Sequence, residues 1–285
     1  MKNKGFPFAR KRKRNYFEGW YVRIHNEKRN LAAIFALTYD QSDPHAFLHF
    51  FDGEAGWVKY RRFPLEAFKA GADYVRIGPN ILTPFSLAIE DSALSARVAF
   101  SARTDPGKSA MGPLHYLPLQ CYQDVLMLDA TATGTVDARP FEGAAYLEKT
   151  YGRAFPRRWF WLQANAFPEG AALSTAGGTM PFLSYEPFGF FALFTHNGRH
   201  YRFSTYNRAR FSSGEGWMEC SRGGLSLALS LQSGRRVTLR GPAAGGKMNR
   251  DVEESLEAVV QAVLKKDGRV LYRGASPRGG LEWML

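Results

Sequence analysis

Cysteine is scarce in this chain. The 285 residues include two, Cys121 and Cys220, far apart and in no paired spacing. That excludes a disulfide-framed scaffold and leaves no thiol pair for a zinc or redox motif, so both are expected to be free thiols. The six histidines show no His-x-x-x-His or His-x-His spacing, which argues against a metal centre. No run approaches the ~18 to 20 consecutive apolar residues of a membrane-spanning helix. The start, MKNKGFPFARKRKRNYFEGWY, is charged but has no apolar stretch of signal-peptide length behind it, which points to a cytoplasmic protein. Ser-His-Asp spacing and a phosphate-cradling Gly loop between strand and helix are missing too; Gly177-Gly178, Gly223-Gly224 and Gly245-Gly246 read as turns.

Aromatic residues, by contrast, make up 14% of the chain, with 28 Gly and 15 Pro, the balance of a turn-rich β protein. The size suits two domains or one large β domain. The net charge of +12 is unevenly spread. Lys2, Lys4, Arg10, Lys11, Arg12, Lys13 and Arg14 hold seven positive charges with no acid among them, so the rest of the chain carries only +5. Residues 1–14 are expected to form a disordered, solvated basic tail. An anionic membrane surface is the partner such a tail would meet peripherally, while nucleic acid, resting on the tail alone, is disfavoured.

From Tyr16 onward, short apolar runs with a period near two alternate with turn residues, the pattern of antiparallel β structure. His196-Asn197-Gly198-Arg199 is the clearest hairpin turn, because Asn-Gly accepts the positive φ of a type I′ turn. The segment 251–266 has a composition that suits a helix, but its setting among strands and the Asp267-Gly268 turn favour a strand. Between Thr131 and Gly143 large apolar residues thin out, which places a domain boundary near 140. The expected architecture is all-β: two antiparallel barrel-like domains, 15–140 and 141–285. Closing each meander removes exposed edges, and a barrel of about eight strands holds one small ligand.

Residues 146–165, YLEKTYGRAFPRRWFWLQAN, combine a Glu-Lys pair, a Gly, a Phe-Pro corner and a Trp-Phe-Trp run ending in Gln and Asn. With Tyr16-Phe17-Glu18-Gly19-Trp20-Tyr21, this stretch resembles the tocopherol cyclase family, whose E-K-x-x-G-x-x-F-P-x-x-W-x-W-x-Q-x-N pattern it follows. The chain departs at Thr150-Tyr151, where the cyclases have Asn-Trp, and at Ala164, where they have Cys. The resemblance implies two lipocalin-like barrels. It also implies an isomerase that needs no metal or nucleotide cofactor and closes a chromanol ring on a prenylated quinol. An acid protonates the prenyl alkene, and the phenol oxygen captures the tertiary cation. Such a site wants a carboxyl among apolar groups, a base for the phenol proton, and aromatic faces near the cation.

Glu18 and Glu148 are the candidate catalytic carboxyls; the structural alternative pairs each with a neighbouring base, Glu148 with Lys149 or an arginine between 153 and 158. On a strand, Trp159, Trp161, Gln163 and Asn165 share one face, a stacking surface followed by amides that would line a cavity for a polar-substituted ring. A core strand with amides on backbone groups explains the same pattern. Trp20 joins the ligand-binding candidates, with core packing as its simpler role. His45, His49, His115 and Tyr116 are further proton carriers or structural hydrogen-bonders. Two functions fit: a cyclase acting on a lipophilic prenylated aromatic, or a non-catalytic barrel carrying an isoprenoid, quinone or other apolar molecule.

Overall fold

The computed structural model describes residues 5–9, 14–181 and 185–285, and among these it is all-β, 62% strand and 6% helical. Two compact units emerge. The first gathers residues 1–109, 120–155 and 238–252, and the second residues 110–119, 156–237 and 253–285.

The first unit contains β1 (Phe17–His25), β2 (Asn30–Thr38), β3 (His45–Asp52), β4 (Trp57–Phe63), β5 (Phe68–Ala70), β6 (Val75–Ile77), β7 (Asn80–Leu82), β8 (Ser86–Asp91), β9 (Leu94–Thr104), β10 (Cys121–Val136) and β11 (Arg139–Gly152). They form one sheet in the order β4-β3-β2-β1-β11-β10-β9-β8-β7-β6-β5, a nearly closed antiparallel barrel. In β9, LSARVAFSART, Leu94, Ala96, Val98 and Phe100 are buried and the residues between them exposed, the alternation of a sheet with one wet face. β1, β2 and β3 are buried along almost their whole length on both faces; β2 reads accordingly as a near-continuous apolar run, while β1 and β3 set buried Glu18, Arg23, His25, His45 and His49 among apolar residues. Trp20, Val22, Ile24, Phe35, Leu48, Phe50 and Leu147 point into the barrel core.

The boundary expected near 140 falls inside this unit. Asp137 and Ala138, both at positive φ, form the turn between β10 and β11, so the thinning of apolar residues there marks the exposed tip of a long hairpin. Alanine in a left-handed turn carries no Asn-Gly signature, and the hairpin was not readable for that reason. The units divide instead at Phe155 and Pro156, the corner ahead of the tryptophan strand. The expected disordered tail also needs correction. Residues 1–4 and 10–13 lie outside the described residues, but Phe6 is buried to 3% exposure within the barrel core.

The second unit begins with β12 (Trp159–Ala164), β13 (Ala172–Thr179), β14 (Phe188–His196), β15 (Arg199–Ser204), β16 (Arg210–Gly214), β17 (Trp217–Arg222) and β18 (Leu225–Gln232). β19 (Val237–Gly241) and the first half of β20 (Arg250–Ser255) fall in the first unit's segment 238–252 but for Val237, and the second unit ends with β21 (Val259–Lys266), β22 (Arg269–Ser276) and β23 (Gly279–Met284). The strands β15-β14-β13-β12-β23 form one antiparallel sheet, which Glu254 and Ser255 of β20 extend, and β16-β17-β18-β21-β22 form another. Phe160, Leu162, Phe194, Leu227, Leu229, Val260 and Leu264 fill one core with contributions from both sheets. Asn197 and Gly198 take the positive φ expected of the β14–β15 turn, and segment 251–266 is strand, broken between Ser255 and Val259. Among the described residues, no helix is long and apolar enough to cross a membrane.

Candidate functional site

Strand pairing around β1 arranges the candidates in two neighbouring rows. One runs Lys149, Trp20, Phe35, Leu48 across β11, β1, β2 and β3; the other runs Glu148, Tyr21, Ile34, His49 and then Tyr60 on β4. Adjacent rows on a pleated sheet face opposite ways. Trp20, Phe35 and Leu48 face the barrel core, so Lys149 and Glu18 do too, while Glu148, Tyr21 and His49 face outward. The two glutamates singled out by sequence therefore occupy opposite faces of one sheet.

On the inner face Glu18 and Lys149 are both fully buried, with Lys149 Nζ 2.7 Å from Glu18 Oε1. The Tyr16 hydroxyl donates to Glu18 Oε2 at 2.5 Å, and the Ala9 backbone N–H donates to Oε1 at 3.0 Å. Lys149 also donates to the carbonyls of Pro7 at 2.6 Å and Gly5 at 3.2 Å, and its ammonium lies 4.7 Å from the Trp20 ring and 5.4 Å from the Tyr151 ring. This satisfies the demand that a buried ion pair be hydrogen-bonded throughout. Of the structural alternatives for Glu148, pairing with Lys149 gives way to a Lys149–Glu18 pair: neighbours along a strand point apart, and the lysine finds the carboxylate across the β1–β11 ladder.

On the outer face Glu148 is 5% exposed. Its Oε2 accepts from the Tyr146 hydroxyl at 2.5 Å and from Gln123 Nε2 at 2.6 Å, both neutral donors. Tyr21 and Tyr146 meet edge to face with centroids 6.5 Å apart, which gives the carboxyl aromatic surroundings. Along the same strands Arg23 is fully buried and donates from Nε to Asn30 Oδ1 at 2.9 Å. Farther along the row the His49 ring stands edge-on to Tyr60 at 5.1 Å, and its Nδ1 is buried without a partner among the described residues. Burial first, and the Arg240 charge second, lower the His49 pKa to about 4, so the imidazole is neutral near pH 7. Gly152 ends β11 for a steric reason: a Cβ there would stand 2.2 Å from the Gln120 carbonyl oxygen.

In the second unit Trp159, Trp161 and Gln163 share a face of β12, on the side away from the Phe160-Leu162-Ala164 core, while Asn165 lies one residue past the end of the strand; all four are buried. The amides bond each other, Gln163 Nε2 to Asn165 Oδ1 at 2.8 Å, and the Trp159 indole donates to Glu282 Oε2 at 2.6 Å. Trp161, Glu282 and the buried Glu254 stand directly opposite one another on β12, β23 and β20. These acids were not singled out from sequence, since nothing local ties residues 254 and 282 to a tryptophan more than 90 positions earlier. Gln123 as a partner of Glu148, and Lys149 as the partner of Glu18, were missed for the same reason, whereas Tyr146 and Tyr16 each stand two residues before their glutamate and period-two alternation could have found them.

The first unit also holds a cavity of about 310 Å³ lined by Asp40, Asp43, His45, Tyr60, Arg62 and Arg240, among others. Its charged wall is a poor match for an apolar ligand, and neither Glu18 nor Glu148 contributes to it. Among the described residues, no group of three or more His, Cys, Asp or Glu side chains is placed to hold a metal ion.

These elements define an all-β protein of lipocalin-like architecture with a buried carboxyl, phenol and amide cluster on the outer face of its barrel. The chain belongs to the tocopherol cyclase-like family, whose model matches residues 91–282. Glu148 and the tryptophan strand lie within that match, and Glu18 and Trp20 lie outside it. The chain is 34% identical over 84 residues to a probable tocopherol cyclase of Oryza sativa subsp. japonica, covering 26% of this chain and 18% of that protein. To the tocopherol cyclase of Zea mays it is 37% identical over 62 residues, 19% of this chain and 13% of that protein. The matched segments are thus a small part of the curated relatives. In fold it is similar to CghA with bound Sch210972, with a TM-score of 0.61 and 11% identity over 95% of this chain and 88% of that one. A protein of Nitrosomonas europaea assigned as an AttH gives 0.55 and 16% over 94% and 93%. At these identities the two structures speak for the fold alone.

Proposed function

We propose that the chain is a cyclase that closes a ring on a lipophilic prenylated aromatic, with Glu148 as the carboxyl that moves the proton. The observation that carries this reading is the environment of Glu148, buried beside Tyr146 and Gln123, which lie with it within the family match, and beside Tyr21, which lies outside it. Glu18 is already bound to a buried ammonium and is the poorer donor. In the step itself, an O–H proton of the acid passes to the less substituted alkene carbon, and the tertiary cation forms at its neighbour. The phenol oxygen then bonds to that carbon, and the phenol proton leaves to the carboxylate, which restores the acid. The product has the same mass as the substrate. Tyr21 and Tyr146 offer ring faces that favour the transient cation, and Tyr146 and Gln123 hold the carboxyl in position.

The test is incubation with a short-chain prenylated quinol, followed by chromatography and mass spectrometry for an isomer of unchanged mass. Glu148→Gln should abolish its formation and Glu18→Gln should not. Substrate bound without isomer formation would replace the cyclase with the carrier reading.

A further inference from the structure

We propose that the mouth of the first barrel is a second binding site, for a flat aromatic compound bearing carbonyl oxygens, and that the segment Gly5–Ala9 occupies it as a displaceable plug. The site lies on the inner face of the sheet, opposite Glu148, and the inference stands whether or not Glu148 moves a proton.

Three observations converge there. The first is that the partners completing the Glu18–Lys149 pair include main-chain groups of a short N-terminal segment rather than the barrel alone. Pro7 and Gly5 give two carbonyl oxygens to Lys149, and Ala9 gives an N–H to Glu18. The second is aromatic. Phe6 stacks on Trp20 at 6.5 Å with the planes 19° apart, and Phe8 meets Trp20 edge-on at 6.3 Å and Phe68 at 5.5 Å. A ring against an indole and carbonyl oxygens on an ammonium are what a small aromatic ketone or quinone would supply. The third is an unmet donor. Trp20 is fully buried, yet its indole N–H has no acceptor among the described residues, although a buried indole N–H ordinarily finds one. The plug therefore satisfies the lysine and the glutamate but leaves the tryptophan donor unused, and a ligand with a second carbonyl can use it.

The plug also reaches solvent on its outer side. Phe8 is 36% exposed, and Gly5 stands at a positive φ of 63° that favours glycine. A segment tied to the same chain competes with any ligand by occupancy, so the apparent affinity is the intrinsic one scaled by the fraction of chains with the mouth open.

The experiment uses the full chain and menadione, a naphthoquinone with no prenyl tail, as the probe. Loosening the plug with Phe6→Ala and Phe8→Ala together should tighten menadione binding at least tenfold over the unaltered chain, measured by calorimetry. Trp20→Phe in that background should weaken it severalfold. Equal affinity with and without the plug phenylalanines, or no binding to the loosened chain, overturns the proposal. Should the double variant fail to fold, the unaltered chain decides: saturating menadione should speed hydrogen exchange at the Ala9 amide, and an unchanged rate at saturation overturns it.

Discussion

Glu148 and Glu18 differ by one sheet thickness, and that difference gives each carboxyl a different set of partners. Both are buried carboxyls next to aromatic residues and both belong to the motif-bearing strands. Glu18 faces the barrel interior, where a lysine, a phenol and a backbone N–H claim its oxygens. Glu148 faces outward to a tyrosine and a glutamine. Burial alone does not mark a proton donor, because the groups that bond a carboxyl shift its balance between acid and anion as well.

The comparison can be broken most directly by exchanging the partners' charges. Glu148→Gln is expected to lower kcat toward a prenylquinol by about 10² to 10⁴-fold, the range typical of losing a general acid, with little change in melting temperature. Lys149→Met should destabilise the fold by about 3 to 5 kcal/mol, because it leaves Glu18 buried and unpaired, and Glu18→Gln added to it should restore most of the loss. Denaturant midpoints of the single and double variants read this cycle; additive losses would show that the two groups do not act as a pair.

A third test uses His49, in the same outward row as Glu148. Its folded pKa of about 4 lies below the ordinary 6.5, so the unfolded chain binds the extra proton between those values. Stability from this group is fully present above pH 6.5 and is lost as pH falls toward 4, by up to about 3 kcal/mol. His49→Phe should flatten that part of the urea midpoint profile from pH 7 to pH 4. Gly152→Ala should cost about 1 to 3 kcal/mol, since the new methyl collides with a main-chain carbonyl that cannot swing aside. The smallest effect is on reactivity. Burial pushes the Cys220 thiol up to about 12, so iodoacetamide should label the half-buried Cys121 first and reach Cys220 only on unfolding.

Much of the β architecture was legible because period-two alternation and Asn-Gly or Asp-Gly turns are local signals; β9, the β14–β15 turn and the β21–β22 turn are examples. The common face of Trp159, Trp161 and Gln163 followed from the same periodicity, while Asn165 falls just past the end of the strand. What was not legible depends on register between distant strands. That Lys149 sits opposite Trp20, and so reaches Glu18 rather than Glu148, is set by pairing across more than a hundred residues. The placement of Gly5–Ala9 was hidden by its basic neighbours, which made residues 1–14 read as one solvated tail although Phe6 and Phe8 are as apolar as any core residue.

The first unit draws residues 238–252 from far along the chain, after most of the second unit has been laid down. A ribosome delivers the chain from one end only, so the nascent barrel must wait, its sheet assembled but its complement of segments short, until that late stretch emerges. Neither unit can be cut out with a single break, and a chain stopped at residue 237 would injure the early unit as well as the late one.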